Sequence, residues 1–328
     1  MNKLSILIVA CVSLISCGNK SVNNVQPKEA YKQVSPDFNA DSTYIFVENQ
    51  VAFGPRVPNT TEHSACADYL VSELKRFGAE VIEQKADLKA YNGTVLKARN
   101  IIASFNPENK ERIMLFAHWD TRPYADHDPN PDNYRKPILG ANDGGSGVGV
   151  LLEIARMLNE QPAKIGIDII LFDAEDYGEP AFDKSLITTQ NWWCLGSQYW
   201  AENPHVPNYT AKFGILLDMV GGYDATFLKE YHSKLYAGGV VEKVWATARL
   251  LGYGKYFIDK SGGAITDDHV PVNEIRRIPS IDIIQYNKDT DSGFGSYWHT
   301  MDDNMNNVSK ETLKAVGQTV AEVIYKER

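Results

Sequence analysis

Three short runs, residues 113–117, 165–172 and 213–217, are mainly apolar, and each ends on imidazole or carboxylate side chains. Stretches of helical periodicity lie between them. Strands this short and apolar are buried on both faces, and the sheet that buries both faces is largely parallel, with helices as crossovers. A fourth such run spans residues 281–286. The spacing predicts helices over residues 41–51, 61–77, 146–158, 241–251 and 310–325. In the second of these, Cys66, Leu70, Leu74 and Phe77 share one face and Gly78 stops the helix. Residues 80–88 and 94–105 read as a hairpin about Asn92-Gly93. No internal repeat and no second composition block occurs. The expected fold is one α/β domain, residues 40–328, with a central twisted, mixed, mostly parallel sheet flanked by helices on both faces.

The beginning of the chain reads as an address. Lys3 precedes an apolar run over residues 4–15, too short to cross a hydrocarbon core of ~30 Å. It ends Leu14-Ile15-Ser16-Cys17-Gly18, which resembles the bacterial lipoprotein box. That resemblance implies a signal peptide over residues 1–16, removed to leave an acylated Cys17. Residues 17–39, rich in Asn, Ser, Lys and Pro, are expected to be a flexible tether. Membrane contact would then run through the lipid anchor alone, on the periplasmic side or at the outer membrane. With 42 Asp+Glu against 33 Lys+Arg and no basic run, nucleic acid is not an expected partner. A monomer is expected. Cys66 and Cys194 read equally as buried free thiols or as a bridge, and their spacing is not that of a cysteine zinc site.

In open α/β sheets, ligands collect at the carboxyl ends of the strands. There the sequence places His118-Trp119-Asp120, Asp173-Ala174-Glu175-Asp176 and Asp218. A glycine-rich segment, Gly140-Ala141-Asn142-Asp143-Gly144-Gly145-Ser146-Gly147, precedes a helix, and Trp298-His299-Thr300 precedes the last one. Each alone is weak, because a strand-end Asp is often a turn former. Together, carboxylates and imidazoles from five segments suit zinc. Of the adjacent pair Glu175 and Asp176, one can ligate while the other shuttles protons. His63, His127, His205 and His232 read as structural.

The set His118-x-Asp120, Asn142-Asp143-Gly144-Gly145-Ser146-Gly147, Glu175-Asp176, Leu217-Asp218 and His299-Thr300-x-x-Asp303 resembles the zinc aminopeptidase-like superfamily. Trp298 before His299, with Thr266-Asp267-Asp268-His269-Val270-Pro271, narrows the likeness to animal-type glutaminyl cyclases and their bacterial lipoprotein relatives. The resemblance runs from about residue 40 to the last residue. It implies that Asp143, Asp176 and His299 bind one Zn2+, and that Glu175 is the proton shuttle. Asp218 and Asp268 would complete an acidic network around it, with His269 orienting Asp268. Trp193 and Trp298 would line a pocket for the substrate side chain, with Trp192 as the other candidate for the first wall. Animal cyclases usually carry Glu where this chain has Asp176. The implied reaction closes an N-terminal Gln, or slowly Glu, of peptides and exported proteins to pyroglutamate, releasing ammonia from Gln. The first rival is a two-zinc aminopeptidase, since His118 and Asp218 resemble second-metal ligands of such enzymes, and His118 and Asp120 could serve a second metal as ligand or support. The second is a non-catalytic lipoprotein that binds peptide termini.

Overall fold

A computed structural model describes residues 31–183, 190–223 and 225–328. The expected leader, Cys17 and most of the tether lie outside the described residues. Among those described, no helix is long and apolar enough to cross a membrane.

The central strands are β3 (Arg112–His118), β4 (Gly166–Phe172), β5 (Gly214–Asp218) and β8 (Ser280–Tyr286), side by side and parallel in the order β4-β3-β5-β8. The hairpin β1 (Glu80–Lys89) and β2 (Val95–Phe105) adds antiparallel to β4. On the other edge, β6 (Thr226–Lys229) runs antiparallel to β8, and β7 (Phe257–Ser261) runs parallel to β6. Four of these seven pairings are parallel, as expected for a mixed sheet.

Period-two alternation sends successive strand residues to opposite cores. Ile113, Leu115, Ala117, Ile169 and Ile215 join a large cluster with α1 (Ala40–Val51), α2 (Thr61–Arg76), α3 (Gly145–Glu160), α5 (Tyr231–Leu250) and α7 (Lys310–Lys326). Met114, Phe116, Ile170 and Leu216 face a smaller cluster with Trp200 of α4 (Leu195–Glu202) and Val272 of α6 (His269–Glu274). The sequence reading missed β6, β7, α4 and α6. All are four to eight residues long, too short to show a period. The order of strand addition reverses at β3, since β4 pairs on one side and β5 on the other, all three parallel. Such a switch point leaves a crevice at the strands' carboxyl ends.

One boundary moves. Residues 33–39 were expected in the tether, but the backbone N–H groups of Val34 and Ser35 donate to the buried Glu322 carboxylate at 2.8–3.1 Å. Phe38 N–H donates to Gln318 Oε1 at 2.9 Å, and the Phe38 ring is buried against Gly317. A carboxylate as buried as Glu322 needs donors, so this segment belongs to the folded unit that begins at Gln33. His269 is the second correction. Its Nε2 meets Glu230 Oε2 at 3.2 Å rather than Asp268, and Glu230 caps α5 by accepting from His232 N and Ser233 N.

A chain starting at Asn39 is therefore expected to lose about 3–5 kcal/mol against one starting at Gln33, from the lost Phe38 ring and the stranded Glu322. Urea titration of the two truncations reads this difference. Burial opposes the charge on Glu230, but His269 and two backbone N–H groups outweigh it and hold its pKa down to about 2. Its stabilisation is then complete above the ordinary glutamate range and lost as pH falls toward 2. Glu230→Gln should flatten the stability-against-pH curve across that window.

Candidate metal centre and cavity

The glycine-rich segment turns into α3 at the crevice. Gly147 sits where a Cβ would lie 2.1 Å from the Leu217 carbonyl oxygen, so only glycine lets the helix start against β5. Asn142 and Ser146 tie that start to the end of β5: Gly221 N–H donates to Asn142 Oδ1 at 2.8 Å and Val220 N–H to Ser146 Oγ at 2.9 Å. Asp143 is thereby aimed across the strand ends.

Two buried carboxylates fix the ligand-bearing backbones. Asp303 accepts the N–H groups of Asn142 and Asp143 at 2.7 and 3.0 Å. Asp120 accepts those of Glu175 and Asp176 at 3.1 and 3.2 Å. Asp120 stands 3.6 Å from His118 Nδ1, and among the described residues it joins no group whose donor atoms converge on one point. Of its two expected roles, support is the one the geometry fits. Backbone strain marks the same region: Ala174, Cys194, Met219 and His299 all have positive φ, a costly conformation for these side chains.

His299 Nε2 lies 3.5 Å from Asp143 Oδ2 and 3.3 Å from Asp176 Oδ1, and the donor atoms of all three residues fall within 4.8 Å of one another. Among the described residues, the buried Asp176 Oδ2 has no hydrogen-bond partner. Two carboxylates and an imidazole that converge with an oxygen to spare fit a zinc ion. The shorter Asp176 reaches the cluster. Asp143 also belongs to a second group, since His118 Nε2 lies 3.0 Å from Asp143 Oδ1 and 3.2 Å from Asp218 Oδ1.

Burial and the neighbouring Asp143 push Asp176 up to about 6. Burial opposes charge on His118, yet Asp120, Asp143 and Asp218 raise it well above its ordinary value. Glu175 is held well above the ordinary glutamate range: burial is the main cause, His118 pulls against it, and Asp267, Asp176 and Asp268 add to it. Cys194 donates its thiol to Glu175 Oε1 at 3.2 Å.

Above these groups opens a cavity of about 570 Å³. Its floor holds Asp143, Glu175, Asp176, Asp218, Asp267 and His299, and its walls are Trp193, Trp298, Phe294, Ile265 and Ile284. Trp193 lines it and Trp192 does not. The acidic pair after β7 is also resolved in favour of the first member. Asp267 faces the cavity, whereas Asp268 is fully buried and accepts from Ser197 Oγ at 2.5 Å. Two consecutive residues leave a helix start in different directions, so Asp267 joins the cavity lining and the expected Asp268 does not, though both act on Glu175. A larger depression of about 940 Å³ lies over β1 and β2 around Asn59, His63 and Arg99, away from the clustered donors.

Sequence reading also passed over Asp126, Arg122, Cys194 and Phe294. Asp126 Oδ1 stands 3.3 Å from His299 Nδ1, and Arg122 pairs with Asp126. No motif spacing marks these residues, though Asp267 stood in the quoted Asp267-Asp268 pair. His63, read as structural, is buried against Asp173 at 2.9 Å and stacked on Trp119. His127 packs against Trp298 with the two rings tilted by 49°. Cys66 and Cys194 are both buried and unbridged.

The Peptidase family M28 profile matches residues 100–324. The chain is similar to a solved Zn-dependent exopeptidase from Parabacteroides distasonis, 65% identical with TM-score 0.88, over 89% of this chain and 99% of that one. It is similar also to Bacteroides thetaiotaomicron glutaminyl cyclase, solved with N-acetylhistamine, 59% identical with TM-score 0.88, over 90% of this chain and 100% of that one. Bos taurus glutaminyl-peptide cyclotransferase is 27% identical over 289 residues, 79% of this chain and 74% of that protein. Aminopeptidase YwaD of Bacillus subtilis is 28% identical over 295 residues, 86% of this chain, and the chain spans 56% of its length. A profile match over most of the chain, on a fold whose strand ends gather zinc-type donors, makes this protein a member of peptidase family M28.

Proposed function

We propose that the protein is a glutaminyl-peptide cyclotransferase: it closes the N-terminal glutamine of peptides and proteins to pyroglutamate and releases ammonia, and closes N-terminal glutamate slowly. The observation that carries this reading is one buried carboxylate, Glu175, facing an aromatic-walled cavity beside the Asp143–Asp176–His299 cluster. The likeness to glutaminyl cyclases supports it.

The nucleophile and electrophile belong to one residue, so the protein's first task is to hold the side chain folded back on its own amine. Trp193, Trp298 and Phe294 form a slot of suitable chemistry for the methylenes and exclude water, which would otherwise hydrolyse the amide. A zinc ion held by Asp143, Asp176 and His299 would supply Lewis acidity toward the γ-carbonyl oxygen. Glu175 takes a proton from the attacking α-amine as the N–C bond forms. It returns a proton to the departing nitrogen as the C–N bond breaks, so ammonia leaves and Glu175 is reset. A raised pKa suits a group that must both accept and donate near neutrality. Cys194 holds its carboxyl on station, Asp267 stands close enough to help keep it protonated, and Asp218 is engaged by His118. In this reading one zinc suffices, because His118 Nε2 occupies Asp143 and Asp218 as a hydrogen-bonding partner.

The same reading places an acylated Cys17 after a removed leader, a monomeric enzyme held by lipid at the cell envelope, and exported proteins with N-terminal Gln as substrates. It rests on the sequence pattern of residues 1–17.

The second reading, a two-zinc aminopeptidase, draws on the His118–Asp143–Asp218 group. Ammonia release from Gln-initiated peptides, assayed beside release of free amino acids from a peptide panel, separates the two. Free amino acids without ammonia would overturn the cyclase. Glu175→Gln should fold normally and lose about 10²–10⁴-fold in kcat/KM, and full retained turnover would remove Glu175 from the mechanism. His299→Ala should lose bound zinc on dialysis, read by elemental analysis, along with activity.

A further inference from the structure

Arg122 is fully buried, and each of its five N–H donors has an acceptor. Nε and Nη2 grip the Asp126 carboxylate at 3.1 and 2.7 Å. Nη1 donates to the carbonyls of Asp176 and Gly178 at 3.0 and 3.1 Å, and Nη2 to that of Glu179 at 3.0 Å. The guanidinium carbon also lies 4.5 Å from the centre of the Trp193 ring, within range of a cation–π contact. A Cβ on Gly178 would stand 2.1 Å from that indole, so the strap held by Arg122 is also the surface on which Trp193 rests.

One guanidinium therefore touches three parts of the site. It fixes the backbone of Asp176. Through Asp126, whose Oδ1 stands 3.3 Å from His299 Nδ1, it bears on the ring of His299. Through its face it seats Trp193, whose ring lies parallel to that of His299 within 7°. We infer that Arg122 is a positioning residue that couples the aromatic wall of the cavity to the Asp143–Asp176–His299 cluster, so that substrate fit and metal geometry are set by the same side chain. The part of this that concerns substrate rests on the cyclase reading; the part that concerns zinc does not.

A lysine keeps the charge but replaces a planar fork with a point charge of three donors. In Arg122→Lys, zinc affinity measured by chelator competition should fall about 10–100-fold, the usual consequence of losing a partner that orients a ligand. KM for a Gln-initiated peptide should rise about 3–10-fold with the loss of the planar guanidinium that rests on Trp193. Trp193→Phe should raise KM and leave zinc affinity unchanged. The double variant should raise KM by less than the product of the two single effects, because both disturb one contact. Unchanged zinc affinity in a natively folded Arg122→Lys, or independent effects on KM, would overturn the coupling. If Arg122→Lys does not fold, by circular dichroism, Asp126→Asn tests the same link: weakened zinc affinity supports it and wild-type affinity refutes it. Zinc affinity is read without substrate. A wild-type protein that releases no ammonia would therefore refute the cyclase reading and leave the Arg122 result standing.

Discussion

The whole site depends on burying many carboxylates at one rim without letting them drive each other apart. Asp120 and Asp303 bear much of that load, each accepting two consecutive backbone N–H groups. An N–H pair is a partial positive charge that costs no counter-ion and cannot rotate away. The same bonds fix the direction of the ligands, because Asn142-Asp143 and Glu175-Asp176 are the segments that donate. Asp303 lies four residues beyond His299, so one loop both supplies a candidate ligand and clamps the backbone of another.

The remaining charge is met by two fully buried arginines and by histidine. Arg56 donates to the carbonyls of Trp119 and Gly140 under the glycine-rich turn, and Arg122 serves the Asp126 and Asp176 side. His118 takes up Asp143 and Asp218. What is left unpaired is informative. Burial leaves Glu175 inclined to keep its proton, and Asp176 holds an oxygen with no partner among the described residues. A protein tolerates such groups where function uses them. The positive φ values at Ala174, Met219 and His299 are the backbone counterpart of the same concession.

Likeness to both an exopeptidase and a glutaminyl cyclase follows from this construction. One rim of carboxylates and imidazoles can serve either chemistry, and the difference lies in who brings the nucleophile. An aromatic-walled cavity with a buried acid suits a substrate that attacks itself, since water is then a competitor. The fold settles only where such a site can form.

The sequence alone determined the parallel core, because residues 113–117 and 213–217 have no polar face to give to solvent. It determined which strands end in Asp143-type chemistry, because those side chains follow the apolar runs directly. It carried Glu175, Asp176 and His299 by local pattern and resemblance. Tertiary structure decided what pattern cannot encode: that Asp267 and not Asp268 faces the cavity, that Trp193 and not Trp192 walls it, and that His269 serves Glu230. Adjacent residues in a turn share composition and differ only in direction, and direction is fixed by contacts with distant segments. Residues 33–39 teach the same lesson, since their polar, aperiodic sequence reads as tether until Glu322 and Gln318, some 280 residues away, supply the acceptors that hold them. Arg122 was invisible for that reason: nothing beside it in the chain announces that three of its five donors will be claimed by the carbonyls of Asp176, Gly178 and Glu179, more than fifty residues away.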